Sequence, residues 1–390
     1  PGTVRPPYGS DGARRRAATG EKKANRPSRP PGVRTPPTTG KTVTHTVTQE
    51  NKPPRGTSDI WEVADLVTPM AVRVAATLRL ADHIGEGTAP LDRLAERSGT
   101  PAHLLERLLH HLVNAQVFTQ PEPHVYGLTE LGAQLRADHP GAPRDWLDTG
   151  SAFGRGDLAL VHLLESIRTG RPGYDTAYGR SFWADLDADA ELSDSFDSLL
   201  ASLLVPGETK AAAEGYDWGS LGHLVDVGGG DATLLCALLT AHPELGATLV
   251  ELPGPAAAAR AKLAEQGLEE RCTVLESSFL DPLPEAAAGA GGYLLSVVLH
   301  DWDDAHALAI LEHCARAARP GSRVLLIEGL RDDPQGARVR SEMDLRMLTY
   351  FSGQERTRDQ LAALGDRAGF DLGTVRKLSY YRSLVELIAR

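Results

Sequence analysis

Between Leu224 and Asp231 the chain reads Leu-Val-Asp-Val-Gly-Gly-Gly-Asp, then runs into an apolar stretch from Ala232 to Ala241. An apolar run, a glycine turn and a helical stretch in that order predict a strand that passes sharply into a helix. Glycines at such a turn let backbone approach a ligand where side chains would collide. Short apolar runs follow at Ala247 to Glu251, Cys272 to Glu276, Tyr293 to Val298 and Val324 to Glu328. Helical segments of the length a parallel crossover requires separate them, so an α/β fold with an open, Rossmann-like, doubly wound sheet is expected over 206–390.

The turn departs from the dinucleotide fingerprint, because Gly228-x-Gly230 would need Gly or Ala at 233 and the chain has Thr233. S-adenosylmethionine fits the pattern better, having a charged amino acid end and a ribose diol but no phosphate. Gly228, Gly229 and Gly230 form the cradle. Asp226 is placed to meet the ammonium, directly or through water, and Glu251, at the end of the next strand, to accept both ribose hydroxyls. Ser277, Ser278 and Phe279 follow the third strand, where a hydroxyl and a ring suit adenine. Leu252 and Ser296 complete the expected cofactor set.

His300 lies just beyond the fourth strand, in Leu299-His300-Asp301-Trp302-Asp303-Asp304. Methylating a phenol of pKa ~10 requires a proton acceptor, and an imidazole near its reference value of ~6.5 is mostly neutral at pH 7. Glu328 and Glu355 are the carboxylates expected to fix its tautomer and stabilise the imidazolium. Asp301 is counted with this reacting group. With Asp303 and Asp304 it also has an ordinary role as the acidic first turn of a helix from Ala305 to Ala318. Phe182, Trp183, Met343, Met347, Tyr350 and Phe351 are candidates for an apolar acceptor pocket. No metal-ligand spacing is present, and Cys236, Cys272 and Cys314 stand apart, as buried free thiols do.

Residues 1–55 hold 12 Lys or Arg against 3 Asp or Glu and 10 of the 26 prolines, the composition of a disordered basic tail. Residues 56–205 are expected to be helical. A helix from Ile60 to Val74 is followed by short helices at Pro90 to Ala95 and Pro101 to Leu108, a longer helix, and a hairpin around Tyr126 to Leu128. That order suggests a winged-helix unit serving dimerisation and covering the acceptor. Its would-be recognition helix, Pro101 to Val117, offers one Arg and no Lys, and the body of the protein is acidic, which argues against a nucleic-acid partner. No apolar run reaches the ~18 to 20 residues of a membrane span and no secretory signal is evident, so a cytoplasmic location is expected.

The glycine motif, the Val298-Leu299-His300-Asp301-Trp302-Asp303-Asp304 motif and Gly353-Gln354-Glu355-Arg356-Thr357 together resemble the plant-type, caffeate-like, homodimeric small-molecule O-methyltransferases from about Asp59 to Arg390. Within them, Thr68 to Leu80 and Ile167 to Pro172 are most similar to the bacterial anthracycline branch, of the carminomycin 4-O-methyltransferase type. The resemblance implies S-adenosylmethionine as cofactor, a homodimer, His300 as base flanked by Glu328 and Glu355, and an aromatic polyketide or aryl acid as acceptor. Departures are also evident. The anthracycline enzymes lack the His found here; Ser278 and Ser296 replace the usual Asp and Lys, and Ser193 replaces an Arg that holds the cofactor carboxylate. A cofactor-binding relative that hydroxylates, decarboxylates or C-methylates, and a winged-helix ligand sensor, remain open as alternatives.

Overall fold

The computed structural model describes residues 60–203, 206–286 and 291–390; the basic tail expected over 1–55 lies outside them. The helix expected from Ile60 to Val74 is two helices, Ile60–Val63 and Val67–Thr77. The break has a local cause: the Asp65 carboxylate accepts hydrogen bonds from the Val67 and Thr68 amides, at 2.9 and 3.1 Å, capping the second helix. Helices Leu91–Ser98 and Ala102–Asn114 follow, the latter replacing the two helices expected from Pro101 onward. Gly99, left-handed at φ 64°, ends the first. Strands β1 (Thr88–Pro90), β2 (Phe118–Glu122) and β3 (Val125–Leu128) form an antiparallel sheet in the order β1-β3-β2. Leu80, Leu94, Leu109, Leu112, Phe118 and Tyr126 fill the core between these helices and the wing.

The large sheet holds β4 (His223–Val227), β5 (Gly246–Glu251), β6 (Cys272–Glu276), β7 (Gly292–Ser296), β8 (Arg323–Glu328), β9 (Phe370–Lys377) and β10 (Ser383–Ala389). Their order is β6-β5-β4-β7-β8-β10-β9. The first five pair in parallel, whereas β10 runs antiparallel to β8 and β9, an edge the strand pattern had not indicated. Burial on both faces explains the near-continuous apolar runs of β4, β5, β7 and β8, whereas β6, at the edge, is partly exposed. Along β4, Leu224 joins the core on one side of the sheet while Val225 and Val227 join the core on the other. The strand period therefore puts Asp226 on the Leu224 face, beneath the glycine turn.

From β4 the chain builds outward in one direction through β5 and β6, and in the other through β7 and β8. The crevice at the carboxyl ends of β4 and β7 is the switch point at which open α/β sheets bind ligands. The glycine turn leaves one of these strands and the His300 turn leaves the other.

Candidate active site

Gly228 and Gly230 have φ of 72° and 59°, where only glycine is unstrained. A Cβ on Gly229 would lie 2.2 Å from Asp226 Oδ2, so the turn folds directly onto that carboxylate. Glu251 is held by backbone: Gly230 N donates to Oε2 at 3.0 Å and Leu252 N to Oε1 at 2.8 Å. These two bonds fix the carboxylate across the mouth of the turn, with lone pairs left for further donors. Leu252 sits at the rim, half exposed.

Carboxylates crowd the site: Asp231 is paired with Lys262, whereas Asp226 and Glu251 have no cationic partner among the described residues. Both oxygens of Asp226 are buried without a hydrogen-bond partner. Burial, reinforced by Glu251, raises its carboxyl to about 7. Burial, with Glu251, Asp194 and Asp231, raises Asp197 to about 6. A ligand presenting positive charge would relieve both effects, and that is the chemistry expected of S-adenosylmethionine.

Ser277 N donates to Glu251 O at 3.0 Å, which joins the two cofactor-side loops. Ser278 Oγ accepts the Leu280 amide at 3.1 Å, which ties the hydroxyl to its own loop and leaves its O–H to donate. Phe279 covers the turn, its Cε1 3.3 Å from where a Gly228 Cβ would stand. Ser296 ends β7 and is part-buried beside it.

The next residue, Val297, has φ 59°, a left-handed conformation costly for a β-branched side chain. This kink leads the chain off the sheet into the 3-10 turn Leu299–Asp301. His300 is buried, 8% exposed. Its Nδ1 donates to Glu355 Oε1 at 2.9 Å, and Asp301 Oδ1 lies 3.3 Å from Nε2. Glu328 is next to the turn rather than on the imidazole: Leu299 N donates to its Oε1 at 3.0 Å. Of the two expected orienting acids, Glu355 touches the base and Glu328 braces the turn.

Asp301 is not part of the following helix, which spans Asp304–Ala317 and is capped by Asp303 through the His306 amide at 2.9 Å. Burial pushes the Asp301 carboxyl up to about 7, against the pull of His300. Burial opposes charge on the imidazole, yet Asp301, Glu355 and Glu328 outweigh it and raise His300 to about 9. An imidazole at its reference value would be mostly neutral at pH 7; the surrounding carboxylates shift this one toward its protonated form.

For catalysis that depends on an unprotonated imidazole, kcat/KM is expected to rise about tenfold per pH unit from pH ~7 toward ~9. In His300→Ala this limb should disappear, leaving the acceptor's own ionisation near pH ~10. A flat wild-type profile from pH ~7 to ~9 would contradict the assignment.

The acceptor-side candidates divide. Phe182, Met347 and Tyr350 are packed, at 0%, 2% and 1% exposure, and Phe182 stacks on Tyr350 at 5.9 Å. Phe182 and Tyr350 belong to the aromatic core behind the site, and Met347 is buried on the same helix as Tyr350. Trp183 reaches forward, stacked on Phe351 at 5.0 Å and on Trp302 at 6.5 Å, and Met343 is part-buried on the helix Ala337–Phe351. Trp302 meets Phe279 edge to face at 5.9 Å. Phe279, Trp302, Trp183 and Phe351 thus form an aromatic row from the glycine turn past the His300 turn. The motif alone assigns Trp302 no role; the fold shows that its ring joins both sides.

Residues 160–371 match the O-methyltransferase domain and residues 61–138 the O-methyltransferase dimerisation domain. The chain belongs to the O-methyltransferase family. It is 52% identical to the 2,7-dihydroxy-5-methyl-1-naphthoate 7-O-methyltransferase of Streptomyces carzinostaticus, over 84% of this chain and 96% of that one. It is 44% identical to the aclacinomycin 10-hydroxylase of Streptomyces purpurascens, over 80% and 84%. Its fold matches the crystal structure of an O-methyltransferase from neocarzinostatin biosynthesis, in complex with S-adenosylmethionine and 2-hydroxy-5-methyl naphthoic acid. That match has a TM-score of 0.80 and 50% identity, covering 86% of this chain and 99% of that one. In this O-methyltransferase the dimerisation domain exposes Val63, Leu66 and Val67 at 75%, 72% and 66%. No helix among the described residues is long and apolar enough to cross a membrane.

Proposed function

We propose that this enzyme transfers the methyl group of S-adenosylmethionine to a phenolic hydroxyl of a fused-ring aromatic acid, with His300 as the general base. The observation that carries the reading is the placement of a Glu355-paired imidazole at the switch point, between the glycine turn and the Trp302–Trp183 aromatic surface. The relatives named for naphthoates and crystallised with naphthoic acid support the choice of acceptor.

Each group has a task. The turn Gly228–Gly229–Gly230 and Asp226 receive the charged end of the cofactor, Glu251 the ribose, and Leu252, Ser277 and Phe279 border the adenine; Ser296 flanks the same edge. Bound there, S-adenosylmethionine supplies an electrophilic methyl on a sulfonium. His300 Nε2, once it has lost its own proton, takes the phenolic proton while Nδ1 stays on Glu355, whose carboxylate stabilises the imidazolium. Glu328 and Asp301 hold further negative charge against it. Trp183, Met343 and Phe351 orient the acceptor ring and exclude water.

We assign 56–205 to dimerisation and acceptor covering, 206–390 to cofactor binding and catalysis, and the working form to a homodimer. Three free, buried cysteines fit a reducing, cytoplasmic setting.

The acceptor class is tested by comparing hydroxynaphthoic acids with the matching naphthols and with monocyclic hydroxybenzoic acids. The acids are expected to exceed the naphthols in kcat/KM by at least about tenfold, the equivalent of ~1.4 kcal/mol. Equal rates on the naphthols would remove the carboxyl from the assignment.

A further inference from the structure

The segment that delivers Glu355 does more than present a carboxylate. Gly353 lies so close to the His300 turn that a Cβ there would stand 2.1 Å from His300 O and 2.7 Å from Asp301 C. Gln354 N donates to that same carbonyl at 2.9 Å. Arg356, 3% exposed, spreads its guanidinium beneath the turn. Its Nη1 donates to Leu299 O at 2.6 Å and its Nη2 to Trp302 O at 2.8 Å, the carbonyls on either side of His300 and Asp301. Nε and Nη2 both donate to Asp304 Oδ1, at 3.0 and 2.9 Å, and Gln354 Nε2 reaches the same oxygen at 2.8 Å.

Both ends of the segment are anchored. Gly353 N bonds Met347 O at 3.0 Å, and Thr357 opens the helix Arg358–Ala368 through a reciprocal cap with Gln360. Between them, Glu355 N donates to Asp344 on the acceptor-side helix at 2.8 Å. A three-residue 3-10 turn entered through a strained Val297 has little intrinsic rigidity, so the fixed fork of an arginine is suited to hold it.

We propose that Arg356 is a positioning residue for the transfer reaction, setting the height and tilt of the His300 imidazole by gripping the backbone on both sides of it. This rests on His300 being the base. Lysine cannot replace it, because an ammonium lacks the planar fork that reaches two carbonyls and a carboxylate together.

A double-substitution cycle tests the role. Arg356→Gln is expected to lower kcat roughly 10- to 100-fold, the scale of an ångström-sized misplacement, with the KM for S-adenosylmethionine within about threefold of wild type. Arg356→Lys should share most of that loss. In a His300→Ala background, Arg356→Gln should change kcat by less than about twofold, because there is no base left to place. Should Arg356→Gln not fold, Asp304→Asn, at an exposed side chain, serves in its place. It is expected to lose about three- to tenfold in kcat in the wild-type background alone.

Equal losses with and without His300 would show a general structural effect and overturn the proposal, as would an unchanged kcat in the wild-type background. Failure of the underlying reading is distinguishable: it would appear as full activity in His300→Ala itself.

Discussion

Replacing His300 by alanine is expected to lower kcat by ~10²- to 10⁴-fold, the usual contribution of a positioned general base, while binding of S-adenosylhomocysteine changes little. The separation follows from the layout. The imidazole is tied to Glu355 on the acceptor side of the crevice, whereas the cofactor determinants, Glu251 and the glycine turn, belong to β4 and β5 and make none of their hydrogen bonds to it. The rate that remains should come from orientation of the two reactants in a dry pocket. Glu355→Gln retains the shape but removes the charge that supports the imidazolium, and should give a smaller loss of the same kind. Single-turnover rates of methyl transfer, with calorimetric binding of S-adenosylhomocysteine as the control, check both. A coupled fall in rate and binding would mean that His300 holds the pocket together rather than accepting the proton.

The second large effect falls on the cofactor alone. Gly229→Ala places a methyl 2.2 Å from Asp226 Oδ2, 2.5 Å from its Cγ and 2.7 Å from Leu249 Cδ1. Both side chains are buried, so the turn is expected to shift toward the space the cofactor requires. Overpacking of this sort costs about 1–3 kcal/mol, so S-adenosylhomocysteine should bind roughly 5- to 150-fold more weakly. Gly230→Ala offers a contrast, since a Cβ there meets nothing within 4 Å and the cost is the left-handed backbone, φ 59°, alone. Equal affinity of Gly229→Ala and wild type would show that the close contact with Asp226 does not set the height of the turn.

Much of this architecture was legible in the sequence where one physical requirement dominated. Strands β4, β5, β7 and β8 are buried on both faces, so each had to be an apolar run, and these four and the more exposed edge strand β6 were each found within about two residues. The closing pair was not, because β9, Phe370-Asp-Leu-Gly-Thr-Val-Arg-Lys, lies at the sheet edge with much of it in solvent. What makes it a strand is its pairing with β10, a contact that local pattern does not carry. The split at Asp65 was missed for a similar reason: apolar residues continue at helical spacing through a carboxylate that caps the backbone.

The site shows the same division. Spacing put His300, Glu328 and Glu355 at one edge of the sheet. It did not say that Glu355 would take the imidazole and Glu328 the Leu299 amide, since that depends on the Val297 kink. The charge of His300 was also beyond reach, because it is set by the distances of three carboxylates in a water-poor site. Phe182 is aromatic and close to the acceptor side, yet its ring fills the core, and it is the neighbouring Trp183 that stacks on Trp302.

Base-assisted methyl transfer from sulfonium to phenolic oxygen can be followed with trideuteromethyl S-adenosylmethionine and a hydroxynaphthoic acid. Products of the wild-type and His300→Ala enzymes would be followed by mass spectrometry. A trideuteromethyl ether is expected, formed in equal amount with S-adenosylhomocysteine, at a rate that falls at least ~100-fold in the variant. An unlabelled hydroxylated product, of the kind suggested by the name of the 44% identical hydroxylase, would contradict it, and so would labelled ether formed at the same rate without His300.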